Sequence, residues 1–84
     1  MEYIIKEYIR KLTVNDIKDF ARDKNINISD NDALILYTYA KNNYEDFLNG
    51  NDECLIRELK NKLSPNTFKE CYKLYLEYKI KYLS

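Results

Sequence analysis

Apolar residues recur along this chain at three- and four-residue intervals and never in sustained alternation, a pattern that predicts helices and no sheet. Ile4, Ile5, Tyr8, Ile9 and Leu12 fall at helical spacing, with Lys6, Glu7, Arg10 and Lys11 elsewhere on the wheel, so a first helix is predicted over about residues 2–11. Thr13 opens a second. Its hydroxyl is placed to accept from the amide three residues on, and Asp16 is placed to answer as a capping box. Leu12 and Ile17 occupy the two positions of a hydrophobic staple. This helix buries Val14, Ile17, Phe20 and Ala21 and ends near Lys24. Residues 25–28, Asn-Ile-Asn-Ile, read as a short extended link.

Ser29, with Asp32 three residues later, caps a third helix that carries Ala33, Leu34, Leu36, Tyr37 and Ala40 to about Asn42. Asn42-Asn43 weakens it. Tyr44 to Leu48 is expected to add a helical turn, closed by Gly50, which tolerates the left-handed conformation at a helix end. A fourth helix covers about 52–63, with Ile56, Leu59 and Leu63 as its stripe and Asp52 and Glu53 at the positive end of its dipole. Ser64-Pro65 is a strong start signal for a fifth helix that runs to about Leu83. The short connection makes helices four and five an antiparallel hairpin. The expected fold is all-α: one domain over 1–84, a compact bundle of four to five helices, closed by a C-terminal hairpin with a long last helix.

That last helix carries more apolar residues than one packing face needs. From Phe68 to Leu83 they cover roughly two thirds of the wheel, where a surface helix shows a stripe of little more than about 100°. It should also overhang its shorter hairpin partner by roughly 10 Å. The wheel puts Leu74, Tyr78 and Tyr82 to one side of the stripe and Leu76, Ile80 and Leu83 to the other. One covering helix hides only one set, so the other is expected to meet a protein partner or a second copy; the alternative is that helices one and three together bury both sets in a monomer. Tyrosine suits such a contact, because its ring buries well while its hydroxyl tolerates water before assembly. The residues expected to bind the partner are Leu74, Tyr75, Tyr78 and Tyr82.

Composition narrows the function. Lys+Arg and Asp+Glu balance at 14 each, and there is no histidine, the commonest general base and metal ligand. Residues 1–24 sum to +1, 25–50 to −3 and 51–84 to +2, so no segment offers a strong basic field for phosphate. The alternative to a protein-interaction role is accessory nucleic-acid binding through Lys69, Lys73, Lys79 and Lys81, interleaved with tyrosines but diluted by Glu70 and Glu77. The stretch 12–29 is similar to helix-extension-helix modules of the SAP type, yet helix three offers only Lys41 and carries Asp30 and Asp32. No cofactor or small-molecule substrate is expected.

No catalytic constellation is legible. Cys54 and Cys71 are the only thiols, have no histidine to pair with, and read as small apolar fillers in a reducing cytosol. Asp30-Asn31-Asp32 opens like a calcium loop and then fails, with Leu34 and Ile35 where Asp or Asn and Gly are required. There is no Gly-rich phosphate loop. The N-terminus lacks a signal-peptide h-region, and no run of 18 apolar residues exists. A cytoplasmic, non-enzymatic protein is the expectation.

The order of these signals resembles a family of small helical proteins from Bacillota, the YqfT-like family. The matching elements are L-T-x-x-D-I at Leu12–Ile17, Ala21, N-I-x-I-S at Asn25–Ser29, Ala33, Gly50, Ser64-Pro65-x-Thr67 and Leu74-Tyr75. The resemblance implies an all-helical, bacterial, cytosolic protein and assigns no activity to any residue.

Overall fold

The capping residues set where the helices begin and end. The computed structural model describes residues 2–82, with side chains from 4 to 81, and these form five helices in order: α1 (Glu2–Lys11), α2 (Val14–Asp23), α3 (Asp30–Leu48), α4 (Glu53–Lys62) and α5 (Pro65–Tyr82). No strand occurs among the described residues, so the all-α reading holds.

Thr13 stands in extended backbone and accepts from the Asp16 amide at 3.1 Å, while Asp16 Oδ2 accepts from the Thr13 amide at 2.9 Å. This is the capping box expected from the sequence. α2 closes differently from expectation. The supposed extended link begins at Asn25 with φ 59°, a left-handed residue. The Ile26 amide donates to the Ala21 carbonyl at 2.8 Å and the Asn25 amide to Arg22 at 3.0 Å, the paired bonds of a Schellman close. Ile26 and Ala21, joined by the longer loop, are both buried. Asparagine replaces glycine here because its short polar side chain tolerates the left-handed region better than other L residues.

α3 is two helical pieces joined at a kink, as expected: Asn43 (φ −131°, ψ 15°) is non-helical at the predicted weak point. Gly50, at φ 80°, ends it with the same close, as Asn51 donates to Asp46 at 2.8 Å and Gly50 to Phe47 at 3.3 Å.

Packing is centred on α3, which α1, α2 and α4 all contact, while α5 packs chiefly on α4. One buried group is Tyr39, Leu59 and Leu63, with Ile35, Leu36, Phe47, Leu55 and Phe68 against it. Leu12, Ala21, Ile26 and Ala33 are also buried. Beyond its first turn, α5 contributes no fully buried residue among those described.

Candidate functional site

Two aspartates at helix starts fasten the hairpin, and neither does so as a local cap alone. Ser29 accepts from the Asp32 amide at 3.1 Å, as expected, but the Asp32 carboxylate is used elsewhere. Its Oδ1 accepts from the Ser64 backbone amide at 3.2 Å, at the turn into α5. Asp32 and Thr67 are each 2% exposed. Burial raises the Asp32 pKa, but the hydroxyls of Ser64 and Thr67 and the Ser64 amide outweigh it and hold the carboxyl below its usual value. The same carboxylate and burial together push the Cys71 thiol upward, away from the reactive thiolate.

Asp52 fastens the other end. It takes the N-cap position of α4, at the positive end of the helix dipole as expected, and makes no side-chain capping bond there. Its Oδ2 instead accepts from the Tyr75 hydroxyl and from Lys79 Nζ at 3.1 Å. Lys79 also lies 5.4 Å over the Tyr75 ring. The Phe47 carbonyl is 3.2 Å from the Tyr75 hydroxyl, and the two rings meet edge to face at 5.7 Å. The hydroxyl has one proton, and the carboxylate is the stronger acceptor. Burial and the neighbouring carboxylate push the Tyr75 pKa up, so the phenol stays protonated and donating. Burial alone would raise the Asp52 pKa, but Tyr75 and Lys79 bring it below the usual carboxylate value. This cluster was legible in principle. Asp52 lies twelve residues before Ser64 and Tyr75 eleven after it, so an antiparallel hairpin sets them at one height.

Beside this fastening lies an open apolar cleft of about 480 Å³ to which all five helices contribute. Ile9 of α1, Phe20 of α2, Ala40 and Tyr44 of α3, Ile56 of α4 and Tyr78 of α5 are among its walls. The residues expected to bind a partner divide on this surface. Leu74, Tyr75 and Tyr78 are half-buried and line the cleft. Tyr75 is the most committed of them, through its hydroxyl. The Tyr82 side chain and Leu83 lie outside the described residues. Of the other set, Leu76 is 40% and Ile80 73% exposed, and Tyr72, at 36%, continues them in i, i+4, i+8 register. Of the four lysines in the supposed nucleic-acid stripe, Lys79 is engaged by Asp52.

Among the described residues no three His, Cys, Asp or Glu side chains group as metal ligands, and no helix is long and apolar enough to cross a membrane. Cys54 and Cys71 are both free thiols. A family model described as a protein of unknown function, DUF2624, matches residues 1–79, and the chain belongs to that family. Comparison with curated proteins and with solved structures gives no match.

Proposed function

We propose that this protein is a small non-catalytic interaction module of the cytoplasm that binds a protein through the apolar cleft and the adjoining face of α5. The cleft carries the reading. Its walls are nearly all hydrocarbon and aromatic ring, and two of its tyrosine hydroxyls are bonded within the chain, Tyr75 to Asp52 and Tyr39 to Glu58 at 2.8 Å. Such a surface suits another protein's apolar side chains, which need no fixed polar groups to orient them. The YqfT-like resemblance adds a bacterial source within Bacillota. A photoreactive amino acid placed at position 40 or 76 in cells tests the reading. A discrete protein adduct, chain dimer included, is expected from at least one position. No protein adduct from either position overturns it.

A further inference from the structure

α5 is held unevenly along its length. Its first turn is built into the core: Thr67 is buried, and Phe68 packs on the buried Tyr39, Leu59 and Leu63. The Asp32 carboxylate ties the same turn to α3 through the Ser64 amide. Beyond that turn no described residue of α5 is fully buried, and the helix packs chiefly on α4.

A second fastening stands about 15 Å further on, ten residues after Pro65 at 1.5 Å per residue. There Asp52, at the start of α4, accepts from the Tyr75 hydroxyl and from Lys79 Nζ at 3.1 Å. Asp52 is buried but the Lys79 side chain is 35% exposed, so water reaches the outer arm of this fastening. The same stretch of α5 supplies Leu74, Tyr75 and Tyr78 to the wall of the cleft, with Ile9 of α1 and Phe20 of α2 among the other walls. Regions with few buried apolar contacts open locally, as units, while the rest of a fold stays intact.

The geometry points to α5 beyond its first turn as a lid on the cleft, hinged at Ser64–Thr67 and latched by Asp52 to Tyr75 and Lys79. As control of access to the cleft, this rests on the interaction reading above; as a motion of α5, it is measured with no partner present. Opening breaks both bonds to Asp52 together and withdraws Leu74, Tyr75 and Tyr78 from the cleft. The Asp32–Ser64 tie and the buried Tyr39, Leu59 and Leu63 stay in place. The freed stretch is too short to hold a helix by itself in water, so its amides become exchangeable while the lid is open.

Native-state hydrogen exchange of the full chain across sub-denaturing urea tests it. Amides of residues 74–79 are expected to exchange at one shared level, at least about tenfold faster than the core amides of α3 and α4 after correction for intrinsic rates, and with little dependence on urea, because a local opening exposes little surface. Tyr75→Phe keeps the ring against Phe47 and removes the hydroxyl. It should speed exchange of the 74–79 group by about tenfold or more, the worth of a hydrogen bond to a charged acceptor. Asn25→Ala, which strains the end of α2, should speed the core amides and leave the 74–79 group unchanged, because that strain persists when the lid is open. If Tyr75→Phe loses its helical circular dichroism, Lys79→Gln repeats the test at the more exposed arm of the latch. A 74–79 group that shares the level and urea slope of the core, or that follows Asn25→Ala as the core does, overturns the lid. Exchange that grades from the helix end inward with no shared level is fraying and overturns it too. A local opening indifferent to the latch variants overturns the latch. Absence of any adduct at positions 40 and 76 overturns the interaction reading instead, and the exchange result still decides whether α5 opens.

Discussion

The carboxylate of Asp32, in the first turn of α3, accepts a hydrogen bond of 3.2 Å from the backbone amide of Ser64 at the start of α5. One residue thus joins the N-termini of two helices, the first through its own amide on Ser29 and the second through its side chain. Asp32→Ala is expected to lower unfolding stability by about 2 kcal/mol, because a charge-assisted bond is lost and the Ser64 amide keeps no partner in the fold. Asp32→Asn keeps an acceptor and should cost less. Urea denaturation of both variants checks this, and equal losses would contradict it.

Asp52 and Tyr75 should behave as one unit. Asp52→Asn and Tyr75→Phe are each expected to destabilise by about 1–3 kcal/mol, and the double variant by clearly less than the two losses together, as residues sharing a network do. Strict additivity in the double-mutant cycle would show that the two side chains do not cooperate.

Both buried aspartates have pKa values below their ordinary ones, and that fixes the sign of the acid response. The stabilisation is complete above the unfolded carboxylate value of about 3.9 and is lost as pH falls through the lower folded values. Unfolding midpoints should therefore fall below about pH 4, and Asp52→Asn should flatten that fall. An acid slope unchanged by the substitution would assign the effect to other carboxylates.

The two left-handed helix ends should both tolerate glycine and both lose stability with alanine. A Cβ at Gly50 meets nothing within 4 Å, so Gly50→Ala costs only backbone strain, about 1 kcal/mol. Asn25→Gly should fall within a few tenths of wild type, whereas Asn25→Ala should lose about 1 kcal/mol. Thermal melts of the three variants are sufficient; a neutral Gly50→Ala would contradict the assignment of strain at φ 80°.

The thiols should react in order. Cys54 is exposed, while Cys71 is half-buried and its pKa is raised by burial and by Asp32. A disulfide reagent at pH 8 is expected to label Cys54 first, with Cys71 slower by about tenfold or more. Asp32→Asn should narrow the gap, and a faster Cys71 would overturn the reading.

The sequence by itself determined what depends on near neighbours. Thr13 with Asp16, Ser29 with the Asp32 amide, Gly50, and Ser64-Pro65 fix helix ends through bonds a few residues long, and Asn43 marks the kink by its low helix propensity. The three-to-four spacing of apolar residues determined the all-α class. Only the tertiary structure decided where the two aspartates spend their charge. A carboxylate at a helix start has a local partner and a distant one of similar worth, and the hairpin chose Ser64 for Asp32 and Tyr75 for Asp52. It also decided which side of α5 faces out. Leu74 and Tyr78 lie about as far round the wheel from the stripe centre as Leu76 and Ile80 do, so periodicity alone cannot separate them. The Asp52–Tyr75–Lys79 contact pins the helix rotation, which turns Tyr78 to the cleft and leaves Leu76 and Ile80 at the surface.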